Sequence, residues 1–135
     1  MAARAVRSSD APPVARAALM LQHATLEIRR DQLDACVAFY ALMGFQRVDP
    51  PSSLADRAAW VQRHATQIHL MWVEDPVSLP RGHVAVVVDD YEATLKALGE
   101  AGHQPEPRRE HWGSPRALVR DPAGNLVEVM AFPPS

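Results

Sequence analysis

Disulfide chemistry is the first thing this chain lacks: it holds one cysteine, Cys36, in 135 residues. A lone cysteine excludes an internal disulfide framework and fits a reducing cytoplasm. An excess of positive charge is also missing. The formal net charge is -2 and the pI is near 6.3, which argues against a nucleic-acid partner, since such a partner needs a basic face. No apolar run approaches the roughly 18 residues of a membrane span, so no membrane partner is expected either. What is present is ordinary globular material, 47% hydrophobic and 22% charged. A chain of this length makes one domain and buries a core without staples.

Residues 1–20 begin with an Ala-, Arg- and Pro-rich stretch, MAARAVRSSDAPPVARAAL. It lacks the apolar segment of a secretory signal. Asp10 and the paired Pro12 and Pro13 speak against a transit peptide. The stretch reads as a tail before a single domain over residues 21–135.

The domain shows one order of elements twice. In QHATLEI, Ala24, Leu26 and Ile28 alternate with His23, Thr25 and Glu27, as in a half-buried strand. Asp31 is placed to cap a helix, DQLDACVAFYALMG, with Leu33, Val37 and Tyr40 at helical spacing. Gly44 is its stop. FQRV, AAWVQR and TQIHLMWV then read as strands, with PPSSLAD a loop. Residues 75–82, DPVSLPRG, connect this first module (21–74) to a second (83–132). There HVAVVV is a strand, and Asp89 or Asp90 caps a helix carrying Tyr91, Leu95 and Leu98. PEPRREH, PRALVR and NLVEVMAF are three more strands, the last two joined by the turn RDPAGN. The expected class is α+β, with the order βαβββ twice.

Strand parity separates the faces. Val84, Val86 and Val88 oppose His83, Ala85 and Val87. Ile68, Leu70 and Trp72 oppose Gln67, His69 and Met71. Val127, Val129 and Ala131 oppose Leu126, Glu128 and Met130. Each module thus offers an apolar face to its helix and sets ionisable groups on the other. His23 and His69 are 46 positions apart, His83 and Glu128 are 45 apart. An unpartnered buried polar group costs about 1–3 kcal/mol. Four of them on four strands either partner one another or share a cation. Imidazole and carboxylate suit Zn, Ni, Mn or Fe(II).

QHATLEI, AFYALMGF, GHVAVVVDD and RDPAGNLVEVMAF together make the chain, over Leu21 to Phe132, resemble the vicinal oxygen chelate superfamily. That superfamily includes glyoxalase I, fosfomycin and bleomycin resistance proteins, methylmalonyl-CoA epimerases and extradiol dioxygenases. The resemblance implies two paired βαβββ modules whose curled mixed sheets form a concave cavity, and a divalent metal held by His23, His83 and Glu128, with His69 at the fourth position. A histidine there departs from glyoxalase I, where a second glutamate can attend the metal. It also implies a homodimer with sites lined by both chains.

Three functions follow. In the first, a metal chelates two adjacent oxygens of a small molecule for lyase or isomerase chemistry, with Glu128 or His69 as acid/base. In the second, His23, His83 and Glu128 form the facial triad of an Fe(II) extradiol-type dioxygenase. The third is a non-catalytic drug-sequestering protein with Trp60, Trp72 and Trp112 as stacking surfaces. Arg116, Trp112 and Gln67 are candidate substrate contacts, Arg116 for an anionic group. His64, His103 and His111 read as surface residues, and Cys36 as core.

Overall fold

The computed structural model describes residues 20–135. The expected tail lies, Met20 apart, outside the described residues. β1 (His23–Ile28), β2 (Gln46–Val48), β3 (Ala58–Arg63) and β4 (Thr66–Trp72) form one sheet, ordered β1-β4-β3-β2. β5 (Val84–Val87), β6 (Glu106–Arg108), β7 (Arg116–Arg120) and β8 (Leu126–Met130) form the second, ordered β5-β8-β7-β6. In each sheet the first strand runs parallel to the last and the others are antiparallel. A helix follows the first strand of each: α1 (Leu33–Ala41) and α2 (Tyr91–Glu100). This is the expected α+β pair of βαβββ modules, and neither sheet closes into a barrel.

The alternation read from the sequence sets what is buried. Ile28, Ile68, Leu70, Val86, Val127 and Val129 turn inward and join Phe39, Tyr40 and Leu98 of the helices in one core. Asp90 caps α2 by accepting the Ala93 N–H at 2.9–3.0 Å range typical of such bonds, here 3.0 Å. Asp89 instead pairs with Arg63 at 2.8 Å.

Three boundaries differ from expectation. Asp31 does not cap α1, because a 3₁₀ turn over Arg30–Gln32 precedes the helix. Gln32 stands at the start of α1 without a side-chain cap bond to it; its Oε1 accepts the Arg29 N–H at 2.9 Å and closes the 3₁₀ turn, and Asp31 pairs sideways with Arg29 at 3.2 Å. The strand expected over PEPRREH shrinks to three residues at the sheet edge, where Pro107 has no N–H to extend the ladder. His83 lies just before β5, whose pairing begins at Val84 opposite Val127.

The modules are tied by a buried polar knot. The Asp121 carboxylate, in the turn before β8, accepts the Tyr40 hydroxyl of α1 at 2.7 Å. It also accepts the Ala123 and Asn125 backbone N–H groups, both at 2.9 Å, and the Asn125 amide at 3.1 Å. The same amide donates to the Glu27 carbonyl of β1 at 3.0 Å. Gly124 sits at φ +92°, which lets the turn close tightly enough for one carboxylate to collect these donors. Burial, then Asp121, pushes the Tyr40 phenol up. The same two causes push the Cys36 thiol up to about 12, so Cys36 is a protonated core residue, as expected.

Candidate metal and substrate site

The polar face of the first sheet carries a stack of three flat side chains. The register puts Trp60 of β3 and Thr25 of β1 directly beside His69 of β4. The Trp60 and His69 rings lie 4.0 Å apart and 4° from parallel. His23, diagonal to His69 across the parallel pair, covers its other face at 4.0 Å and 16°. A chain of amides locks the stack. His69 Nε2 donates to Gln67 Oε1 at 2.8 Å, and the Gln67 amide donates to Gln62 Oε1 at 2.7 Å. Gln67, expected to touch substrate, is here the residue that orients His69. His23 Nδ1 lies 2.7 Å from Gln22 Oε1. An amide oxygen only accepts, so that ring carries its proton on Nδ1 and keeps the Nε2 lone pair.

On the second sheet Glu128 is buried at 7% exposure in the middle of β8. Its Oε1 accepts Arg116 Nη1 of β7 at 2.8 Å. Arg116 Nε donates to the Arg109 carbonyl at 2.9 Å, and Nη2 lies 3.3 Å from His111 Nε2. Arg116 therefore holds the carboxylate rather than standing free for an anion. Trp112 does not join this group; its indole N–H donates to the Phe132 carbonyl at 2.9 Å. His83 is exposed, with Nδ1 2.7 Å from the Arg81 carbonyl, so its Nε2 lone pair is also unengaged.

Within one chain these donors do not converge. His23 and His69 share the first sheet, Glu128 stands on the second, and His83 precedes β5. Among the described residues no three His, Cys, Asp or Glu side chains are grouped to hold a metal ion. Two recesses reach different members of the set. A cavity of about 260 Å³ is lined by His23, Gln67 and Val84 to Val87 along the seam of β1 and β5. Another, of about 290 Å³, is lined by His83, Glu27 and Asn125. Neither reaches Glu128 or His69. The donor chemistry nonetheless fits a divalent metal. Each of the three imidazoles has one nitrogen anchored to an oxygen and the other lone pair available, the usual condition of a metal-ligating histidine.

Burial, then the neighbouring His23, lowers the pKa of His69. The ring is therefore neutral near pH 7, and its Nδ1 has no hydrogen-bond partner among the described residues. The sign of the stability effect follows. As pH falls below about 6.5, the unfolded imidazole takes up a proton that the folded one resists, so folding loses stability on the acid side. His69→Gln is expected to flatten that acid-side loss. Urea midpoints between about pH 7 and pH 5 measure it, and equal slopes for the two proteins would contradict the assignment.

Three participants were not read as such from sequence: Gln62, Trp60 as a partner of His69, and His111 beside Arg116. Trp60 and Gln62 share one parity in AAWVQR, opposite Ala59 and Val61, which is the signal that placed His69. His111 sits in a loop, where parity has no meaning.

The family model described as the Glyoxalase/Bleomycin resistance protein/Dioxygenase superfamily matches residues 21–129. Several solved structures share the fold. A protein from Bacillus anthracis assigned to the glyoxalase family is 22% identical, with a TM-score of 0.73 over 81% of this chain and 91% of the other. The genomically encoded fosfomycin resistance protein of Listeria monocytogenes is 16% identical, with a TM-score of 0.68 over 85% and 92%. Lactoylglutathione lyase from Agrobacterium tumefaciens is 22% identical, with a TM-score of 0.62 over 83% and 92%. No curated protein sequence matches the chain. Repeated modules, parallel first and last strands and a match across both modules lead to one assignment: the chain belongs to the Glyoxalase/Bleomycin resistance protein/Dioxygenase superfamily.

Proposed function

We propose that this chain is a metal-dependent lyase or isomerase of the cytoplasm, acting as a homodimer on a small molecule with two adjacent oxygens. His23 and His69 of one copy and His83 and Glu128 of a second would hold a divalent ion (Zn, Ni, Mn or Fe(II)). The observation that carries this reading is the anchoring of all three imidazoles by one nitrogen, with the other lone pair free. Bound there, the ion would supply Lewis-acid stabilisation of an enolate or a developing alkoxide.

The chain's own groups supply the rest. His69, neutral and locked by Gln67, would take a proton at Nδ1 only when that lone pair is not given to the ion. The carboxylate of Glu128 keeps Oε2 clear of Arg116, whose bond is to Oε1. Trp60 shields one face of His69 from water and His23 the other. Two copies are invoked because, among the described residues, one copy groups no three His, Cys, Asp or Glu side chains that could hold a metal ion.

A second reading, a metal-free binder of a flat drug-like molecule, is favoured by the Arg116 cation already neutralising Glu128. Metal analysis separates the two. Purified protein is expected to carry about one divalent ion per chain, and His83→Ala or Glu128→Ala to weaken its binding by about 10–100-fold. Wild-type protein that stays metal-free after incubation with each ion would leave only the binder. Iron together with oxygen uptake would move the function to the extradiol-type dioxygenase.

A further inference from the structure

We propose that Arg116 is an electrostatic latch on Glu128, and that the ligand class able to open it is a small oxyanion. The inference rests on the metal reading above and adds the substrate class to it.

The arrangement around the guanidinium is lopsided. Both side chains are largely withdrawn from solvent, 15% exposed for Arg116 and 9% for Glu128. Arg116 has three directed partners: the Glu128 carboxylate, the Arg109 carbonyl and the His111 ring. Only the first carries a negative charge. With Arg116 donating through Nη2, His111 Nε2 must accept, so that ring is neutral too. Among the described residues Glu128 is the one carboxylate paired with Arg116.

A cation that binds Glu128 therefore competes for the one negative charge paired with a shielded guanidinium. Two positive charges then share one carboxylate on a sheet face with little water, and each weakens the other's hold. The Arg109 carbonyl fixes the direction of the fork, so Arg116 cannot simply swing away without losing that bond. A carboxylate, phosphate or phosphonate oxygen brought in by the substrate resolves the conflict. It takes Nη1 and Nη2 in the planar geometry that guanidinium favours. Metal and oxyanion thus bind cooperatively, and the latch keeps the carboxylate neutralised until both arrive. A substrate lacking an anionic group would leave Arg116 unpaired and bind poorly.

The first arm of the test needs no metal. Inorganic phosphate is titrated into metal-stripped wild type, E128Q, E128A and the E128Q/R116Q double variant. Opening the latch from the carboxylate side is expected to tighten phosphate binding by at least about tenfold in E128Q and E128A, and the double variant is expected to lose the gain. In the second arm Ni²⁺ alone is titrated into wild type, R116Q and R116K. R116Q is expected to bind Ni²⁺ at least about tenfold more tightly than wild type. R116K, which keeps the charge, is expected to stay near wild type; a merely structural role would not separate the two. Phosphate binding no tighter in E128Q and E128A than in wild type overturns the proposal, as does measurable but equal Ni²⁺ affinity in R116Q and R116K. Absence of Ni²⁺ binding in every protein, with the phosphate gain intact, overturns the metal reading and leaves the oxyanion latch standing.

Discussion

Asp121→Ala is expected to destabilise the fold by about 3–5 kcal/mol, the largest effect of any single substitution outside the hydrophobic core. The reason is the number of donors that one buried carboxylate satisfies. Tyr40, Ala123 and Asn125, the last through both backbone and side chain, all donate to it. Removing it orphans the Tyr40 hydroxyl in a side chain with no exposure at all. It also frees the Asn125 amide that ties the turn to β1. Tyr40→Phe removes one donor and leaves the others bonded, so it is expected to cost only about 1–2 kcal/mol. Urea unfolding of the two variants measures the difference. Equal losses would mean that the Tyr40 bond alone carries the knot.

Subunit complementation should give the second large effect. His69→Ala and Glu128→Ala are each expected to abolish tight metal binding when pure. Unfolded together and refolded as a mixture, half the dimers would be mixed. A mixed dimer built as proposed has one site with both residues intact and one with neither. Metal binding should therefore return at about one site in four, the statistical share for a two-fold pair. A site built inside a single chain would recover nothing, because each chain keeps its own defect. The readout is metal bound per chain after dialysis, which does not depend on knowing the substrate.

The value of strand parity is visible at particular residues. Alternation in TQIHLMW put His69 and Gln67 on one face with Ile68 and Leu70 on the other, and they lie so, the latter pair in the core. The same step put Glu128 opposite Val127 and Val129. Parity says which face a side chain takes because the pleat has a period of two. It does not say which neighbour on that face it meets. Trp60 meets His69 through the antiparallel register of β3 and β4, and Arg116 meets Glu128 diagonally across β7 and β8, two residues along from Leu118, which stands directly opposite Glu128. Register is set by loop lengths and sheet twist, which are non-local.

The helix start shows the other limit. Asp31 is a good cap by residue type, yet Gln32 bonds Arg29 and the 3₁₀ turn takes the chain past Asp31 before α1 begins. Local propensities compete within a few tenths of a kcal/mol to about 1 kcal/mol, so the tertiary position of the turn selects among them. Asp90, with no competing turn, caps α2 as expected.

The amino-acid order alone was enough for the repeat, the two apolar sheet faces, the helix positions and the strand faces of His23, His69 and Glu128, whereas His83 falls just before β5. All of these follow from short-range periodicity and residue chemistry. The pairing of those residues was beyond it. That His69 lies between His23 and Trp60 and that Glu128 is held by Arg116 depend on strand register and on how the sheets meet. Those relations join residues tens of positions apart, and no local pattern encodes them.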